Sequence, residues 1–315
     1  MPEPGRRLEW VHVARMASGV DLRIAVHVVE GSGDGPTVAI TAGIHGDELL
    51  PVEVVRRVLD QVDPRRLKGR LLAVPVANPL AFESFTRHTP TDMHNLNRVF
   101  PGTADNWISE LIARALVERL VPEADVFLDL HSGGAVPTVD YVYVLNAPEL
   151  SRAFLFPTLY RGSSYPGSFG THVIEKTGKP VVVAEIGGGN QLDARYLERG
   201  TNGVLNALRR LGVVTGDPVP APVQTLLTRM QILRPRHGGV LHPELGADRL
   251  GDQVPGGELL GRLLEAQTFE VLEEFRAPFD RTLLVLVRGV LSKVHPGDYA
   301  YMLGDVGTAE HLPAE

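Results

Sequence analysis

Histidine and glutamate side chains stand at the ends of three predicted strands. His45 and Glu48 follow one apolar, β-branched run, three residues apart. His131 follows a second such run, and Glu185 ends a third. Two neutral imidazoles and one carboxylate, with a fourth position open to water, form the ligand set of a catalytic zinc hydrolase. A further carboxylate outside that set is what such a site needs as a general base.

The elements that would position these groups belong to an α/β sheet. Residues 37–40 read as a buried strand, and apolar residues recur at helical spacing from Leu49 to Val62. His45 and Glu48 therefore lie on the turn between strand and helix. In open α/β sheets this edge is where ligands bind.

The same patterns predict the rest of the sheet. Residues 1–30 alternate apolar and polar side chains, which predicts two antiparallel strands. Further strands are predicted at 71–77, 125–130, 139–145 and 180–186, and helices at 107–120, 169–177 and 190–211. The last helix is expected to be broken or bent near Gly200 and Gly203.

A long polar segment, residues 84–102, follows the strand at 71–77. A loop of this length inside a domain is usually functional or disordered. Its apolar residues Leu96, Val99 and Phe100 favour an ordered loop. Its polar residues are Arg87, His88, Asp92, His94, Asn95, Asn97 and Arg98.

Composition limits the classes of protein. The 315 residues are 43% apolar and 22% charged, with a net charge of −7 and no basic stripe, so neither nucleic acid nor a membrane is an expected partner. The chain has no cysteine, which excludes thiolate chemistry and leaves His and carboxylate as metal ligands. No signal peptide and no apolar run of about 20 residues is present, so a cytoplasmic location is expected.

Composition also divides the chain. Residues 215–222 are rich in Pro and Gly and read as a linker. Beyond them, short apolar runs are punctuated by Gly and Pro, which is typical of a small all-β domain. We therefore predict a catalytic domain at 1–214 and a C-terminal β domain at 222–315.

Five motifs in this order, "GIHGDE", "NPLAF", "NLNRVFPG", "DLHSGG" and "AEIGGG", resemble the succinylglutamate desuccinylase/aspartoacylase family, a branch of the zinc-carboxypeptidase-like hydrolases. The resemblance covers residues 36–210. It implies a three-layer α/β/α domain with a mixed sheet, followed by a small all-β, barrel-sandwich-like domain.

The resemblance also implies roles for residues. His45, Glu48 and His131 would hold one Zn²⁺ per chain, and Glu185 would activate the water. Asn97 and Arg98 would bind a substrate carboxylate, and Arg87 would polarise the scissile carbonyl. Some family members have an aspartate where this chain has Asn95, and Asp92 is a candidate replacement.

The expected function is a zinc amidohydrolase that deacylates an N-acyl amino acid or a similar small carboxylate. A metallocarboxypeptidase acting on peptides is one alternative, and a catalytically silent metal- or ligand-binding protein on the same fold is another. Glu185 favours an enzyme, because a silent protein has little reason to retain it. The sequence leaves open whether the chain forms a homo-oligomer.

Overall fold

Strands and helices alternate through the first two thirds of the chain. The computed structural model describes residues 3–162, 165–188 and 192–315. The elements up to residue 210 are β1 (Gly5–Arg15), β2 (Asp21–Glu30), β3 (Gly33–Thr41), α1 (Leu49–Gln61), β4 (Lys68–Val74), α2 (Pro79–Glu83), α3 (Ile108–Leu120), β5 (Val126–His131), β6 (Thr138–Tyr143), α4 (Pro148–Arg152), β7 (Thr158–Tyr160), α5 (Phe169–Thr177), β8 (Val181–Gly188) and α6 (Ala194–Arg210).

The remaining elements are all strands, apart from short 3-10 turns. They are β9 (Gln224–Leu227), β10 (Met230–Leu233), β11 (Gly239–Pro243), β12 (Gln253–Pro255), β13 (Leu259–Leu264), β14 (Val271–Arg276), β15 (Arg281–Val287), β16 (Ser292–Val294), β17 (Tyr301–Asp305) and β18 (Glu310–Leu312). The predicted all-β character of the C-terminal segment is confirmed.

A mixed sheet runs through both parts of the chain. Its strand order is β1-β2-β4-β3-β5-β8-β6-β15-β17-β10. The central strands β4, β3, β5 and β8 are parallel, and their carboxyl ends meet at one edge. Strands β1 and β2 form the predicted antiparallel pair. Strand β6 then pairs antiparallel with both β8 and β15, so C-terminal strands continue the catalytic sheet.

Helices cover both faces of the central strands. On one face, α1 and α6 pack together over a core that includes Val54, Val58 and Leu197. On the other face, α3 and α5 cover a core that includes Ile112 and Phe169. Burying the apolar stripe of each helix against the sheet is the main source of stability in such layers. The predicted three-layer α/β/α arrangement is confirmed.

A second, four-stranded sheet belongs to the C-terminal segment alone, in the order β14-β13-β11-β16. Its core includes Leu241 and Leu263, and it packs against Leu284 and Leu303 of β15 and β17. The boundary between 214 and 222 stays a prediction. None of the described helices combines the length and apolar character needed to cross a membrane.

The expected break in the last helix is wrong, because α6 runs without interruption from Ala194 to Arg210. Its two glycines serve packing. A Cβ at Gly200 would lie 2.9 Å from Val54 Cγ2, and one at Gly203 would lie 2.6 Å from the Phe154 carbonyl oxygen. The helix therefore needs bare backbone at both positions to approach its neighbours.

Candidate active site

Two histidines and one glutamate converge at the edge where the parallel strands end. His45 Nδ1 lies 2.7 Å from Glu48 Oε1, and His131 Nδ1 lies 3.0 Å from Glu48 Oε2. Ligand atoms from all three side chains lie within 4.8 Å of one another, and all three residues are buried. The turn between β3 and α1 supplies His45 and Glu48, and the end of β5 supplies His131.

The turn that carries His45 is fixed by a close backbone approach. The Gly46 amide donates to the Thr86 carbonyl oxygen at 2.9 Å. A Cβ at Gly46 would come within 2.0 Å of the Ala81 carbonyl oxygen, so only glycine fits there. The "NPLAF" motif therefore packs directly against the turn that carries His45.

Each imidazole is also held through its other ring nitrogen. His131 Nε2 lies 3.2 Å from Asp129 Oδ2, and Thr41 Oγ1 donates to Asp129 Oδ1 at 2.6 Å. Thr41 and Asp129 are register partners on β3 and β5, which explains their contact. His45 Nε2 lies 3.1 Å from Asn95 Oδ1. Such partners fix the tautomer and orientation of metal-binding histidines.

The buried titratable groups shift one another's pKa values. Burial would raise the pKa of Glu48, but the two imidazoles outweigh it and hold that pKa well below its usual range. Burial, with help from the Arg87 charge, lowers the pKa of His45 to about 4. Burial also opposes protonation of His131, yet the carboxylates of Asp129 and Glu48 hold its pKa well above its usual value.

Glu185 lies beside this group, on the next strand of the sheet. It is the register partner of His131 on β5 and of Tyr141 on β6. Register partners project from the same face of a sheet. Burial raises the pKa of Glu185 to about 7, although the charge of His131 opposes the shift. A carboxylate that titrates near neutral pH can both take and return a proton.

The predicted arginines of the polar segment reach the same place. Arg87 Nη1 lies 3.1 Å from Glu48 Oε1. Arg98 is exposed to the cavity, where its guanidinium lies over the Tyr165 ring at 4.6 Å and donates to the Asn97 carbonyl oxygen. An exposed guanidinium of this kind keeps donors available for a ligand.

The Asn97 side chain joins two elements. Its Oδ1 accepts a hydrogen bond from the Phe169 amide at 2.9 Å, at the start of α5. Its Nδ2 lies 3.4 Å from His131 Nε2. Asn97 also lines the cavity, so this amide nitrogen can contact a substrate.

Asp92 lies away from the cavity wall. It accepts hydrogen bonds from the Ser109 amide and hydroxyl, both at 2.8 Å, and so holds the start of α3. Asn95 itself occupies the position beside His45. His88 does line the cavity, whereas His94 packs edge-on against Trp107.

A cavity of about 650 Å³ opens over the candidate metal ligands and Glu185. This volume suits a small-molecule ligand. Its walls come from both parts of the chain, because the C-terminal segment contributes Arg234, Arg288, Asp298 and Tyr299. Sequence reasoning missed these residues, since nothing local marks them as neighbours of β6.

Other site residues carried a weak signal in the sequence. Asp129 precedes His131 by two residues, which places both on one face of a strand. Tyr141 and Tyr143 alternate within an apolar strand, line the cavity and share a hydrogen bond of 3.0 Å. Polar groups at alternate positions of a buried strand are a sign of a site.

The residues present fit a zinc ion. Zinc takes imidazole nitrogen and carboxylate oxygen, and a catalytic site has three protein ligands. The three side chains converge and are buried, and each imidazole has an acceptor at its second nitrogen. These features match the donor set and the supporting partners of zinc.

Comparisons with known proteins point the same way. Residues 34–211 match the model of the succinylglutamate desuccinylase/aspartoacylase catalytic domain. The chain is 32% identical over 302 residues to N-alpha-acetyl-L-2,4-diaminobutyric acid deacetylase of Halomonas elongata, covering 90% of this chain and 86% of that protein. A succinylglutamate desuccinylase of Vibrio parahaemolyticus is 30% identical over 132 residues, 37% of each chain.

Solved structures share the whole architecture. A succinylglutamate desuccinylase from Silicibacter superposes with a TM-score of 0.84 at 26% identity, covering 98% of this chain and 97% of that one. The product-bound ectoine utilization protein EutE (DoeB) from Ruegeria pomeroyi superposes with a TM-score of 0.86, also at 26% identity, with 96% of each chain covered. The likeness thus extends through the C-terminal strands.

Proposed function

Because the chain belongs to the succinylglutamate desuccinylase/aspartoacylase family, we propose that it is a zinc-dependent amidohydrolase that deacylates an N-acyl amino acid or a similar small carboxylate. One observation carries the proposal. His45, Glu48 and His131 form a buried group that could hold a metal ion, and Glu185 on the adjacent strand lines the same cavity. The names of the relatives, a deacetylase and a desuccinylase, support N-acyl amino acids as the substrate class.

His45, Glu48 and His131 would hold one Zn²⁺ per chain. When bound, zinc supplies a Lewis acid that makes a water nucleophilic at neutral pH and polarises a carbonyl. The chain's own contribution is to fix these ligands and to keep their second nitrogens hydrogen-bonded through Asp129 and Asn95.

Glu185 would move the proton. Its pKa of about 7 leaves it sufficiently basic to take a proton from the attacking water and sufficiently acidic to give it to the leaving amine. This dual role needs a carboxylate close to the ligand set but outside it. The register of β5, β8 and β6 provides that position.

The arginines would handle the negative charges of the substrate. Arg87 lies at the candidate metal ligands, where a cation can stabilise the oxyanion that develops on the scissile carbonyl. Arg98 has a planar guanidinium that can bind a carboxylate through two parallel hydrogen bonds. We assign it to the α-carboxylate of the amino acid, beside Asn97.

Glu185→Gln tests the proposal. The amide is nearly isosteric, so folding and zinc content should be preserved, but it cannot accept the proton of the water. We expect kcat on a small panel of N-acyl amino acids to fall by about 10²–10⁴, with KM changing much less. Zinc content and kcat are measured on one preparation.

The matched control is Glu175→Gln, at an exposed position on α5. It should retain normal kcat and zinc. A normal kcat for Glu185→Gln would remove Glu185 from the chemistry. Wild-type protein that binds zinc and hydrolyses none of the panel would instead support the catalytically silent alternative.

A further inference from the structure

One face of the shared sheet runs from the candidate catalytic centre into the C-terminal strands. Glu185 on β8 is the register partner of Tyr141 on β6, and Val139 on β6 is the partner of Leu286 on β15. Alternate residues of a strand share a face. Arg288 directly follows the last residue of β15, and it lines the cavity together with these four residues.

The sheet geometry gives the scale of this arrangement. Glu185 and Leu286 are separated by two strand spacings and about two residues along the strands, which places their Cα atoms roughly 12 Å apart, and Arg288 follows two residues later in the chain. Glu185 and Arg288 both line the cavity, so a ligand bound there can contact both residues.

Arg288 is a half-buried cation without an acidic partner in the described residues. Its Nε donates to the Tyr299 carbonyl oxygen at 2.7 Å. Its Nη1 and Nη2 atoms make no hydrogen bond to any residue of 3–162, 165–188 or 192–315, and no carboxylate oxygen of those residues lies within 4 Å. Burial lowers the pKa of Arg288, although the charge of Asp298 partly opposes this.

Arg234, a second arginine of the cavity wall, differs from Arg288 in its contacts. Arg234 stacks on the Tyr299 ring at 4.2 Å and donates to the Gly297 carbonyl oxygen, so it holds the wall of the cavity in place. Arg288 anchors the same wall with one nitrogen, and its other two nitrogens have no acceptor among the described residues. Partial burial of such a cation is unfavourable, and an anionic ligand would compensate for it.

We propose that Arg288 binds a second anionic group of the substrate, a carboxylate at the end of the acyl chain or of the amino acid side chain. The proposal rests on the proposed function, which assigns the α-carboxylate to Arg98. The two free Nη atoms can engage both oxygens of one carboxylate. Arg288 is thus the residue that selects substrates with two negative charges.

The test uses substrate pairs that differ in one charge. N-Succinyl-L-alanine is compared with its succinamoyl analogue, and N-acetyl-L-glutamate with N-acetyl-L-glutamine, on the zinc-loaded wild type and Arg288→Gln. For the charged member of one pair, we expect kcat/KM to fall by at least about thirtyfold in the variant. For the neutral member, kcat/KM should change by no more than about threefold. The pair that responds shows whether Arg288 binds a carboxylate of the acyl chain or one of the amino acid side chain.

Two controls separate recognition from structure. Arg288→Lys keeps the charge and should restore part of the preference for the charged member. Arg229→Gln removes an exposed arginine outside the cavity and should leave both pairs unchanged. An equal loss for charged and neutral members would overturn the proposal, because it would mean that Arg288 only supports the Tyr299 backbone. The proposal would also be overturned if the wild type preferred the cationic N-acetyl-diaminobutyrate and Arg288→Gln left that preference unchanged.

A binding measurement keeps this test independent of catalysis. Glutarate and its half-amide are titrated into both proteins by calorimetry. Wild type should bind the dianion at least about tenfold more tightly than the half-amide, and Arg288→Gln should lose that preference. If no N-acyl amino acid is hydrolysed but the preference depends on Arg288, the proposed function fails and the anion subsite stands. No preference in the wild type overturns the subsite itself.

Discussion

The two candidate ligand histidines are held by groups of different charge. His131 Nε2 faces the carboxylate of Asp129, whereas His45 Nε2 faces the amide oxygen of Asn95. A carboxylate raises the basicity of an imidazole ligand more than a neutral amide does. The His131 side of the site should therefore contribute more to metal affinity than its geometry alone suggests.

This difference predicts the effect of Asp129→Asn. The amide keeps the shape but loses the charge, and zinc affinity should fall about 10–100-fold, measured by competition with a chromogenic chelator. Asp92→Asn is the control, because Asp92 holds Ser109 at the start of α3 and contacts neither histidine. If the Asp92 variant lost zinc and the Asp129 variant did not, Asp92 would be the supporting acid.

Arg87 should set the acid limb of the pH profile. Its positive charge lowers the pKa of Glu185, against the larger effect of burial. Arg87→Met removes that charge, so the pKa of Glu185 should rise. Glu185 must be deprotonated to act as a base. The midpoint of the acid limb should therefore move to a higher pH in the variant. The midpoint of the acid limb of kcat/KM measures this, whatever the absolute rate.

Arg57→Met provides the control, since Arg57 lies on α1 and hydrogen-bonds Glu53 away from the cavity. Its profile should match that of the wild type. An acid limb that stays in place or moves to lower pH in Arg87→Met would show that Glu185 does not limit the rate, or that Arg87 does not influence it.

Individual elements differ in how much of them the sequence could reveal. Helix α5 has the predicted bounds, 169–177, because local signals define both ends: Ser168 accepts from the Thr171 amide, and Gly178 adopts φ 70°. Helix α6 contradicted its local signals. Its glycines indicated a break, whereas close contacts with Phe154 and Val54 account for them, and such contacts are tertiary.

The packing of α6 predicts the effect of Gly203→Ala. Alanine has the higher helix propensity, by about 1 kcal/mol. The added Cβ would meet the Phe154 carbonyl oxygen at 2.6 Å, and backbone cannot move aside cheaply. We expect a net destabilisation of about 1–3 kcal/mol, measured by urea unfolding at unchanged m-value.

Asn202→Ala is the matched control, at an exposed position next to Gly203 on the same helix. Propensity alone acts there, so stability should be unchanged or slightly raised. Equal or greater stability of Gly203→Ala would show that the helix moves away from Phe154 without cost.

At the scale of the whole molecule, one sheet joins the two parts of the chain, 1–214 and 222–315, that composition divides. The motifs located His45, Glu48, His131 and Glu185, because each motif includes or directly follows a strand that is recognisable in the sequence. The pairing of β6 with β15 is different. It joins strands that are distant in sequence, and no local pattern specifies that partner. The residues of the C-terminal cavity wall could therefore not be predicted.

A continuous sheet should unfold as one cooperative unit. Leu72 on β4 and Leu303 on β17 are both fully buried, in different cores of the molecule. Leu72→Ala and Leu303→Ala should each cost about 2–5 kcal/mol. If β6 and β15 couple the two parts, both variants should shift one shared unfolding transition, and activity should be lost at the same urea concentration as structure.

Circular dichroism and activity, followed together in urea, measure this coupling. Val223→Ala, at an exposed position, should leave the curve unchanged. Independent domains would behave differently: Leu303→Ala would shift one of two transitions and leave the signal from residues 1–214 in place. That outcome would mean that the parts of the chain on either side of the predicted boundary at 214–222 unfold independently. A single transition means instead that the C-terminal segment stabilises the cavity through the sheet, because Arg288 and Glu185 then keep their spacing only while both parts are folded.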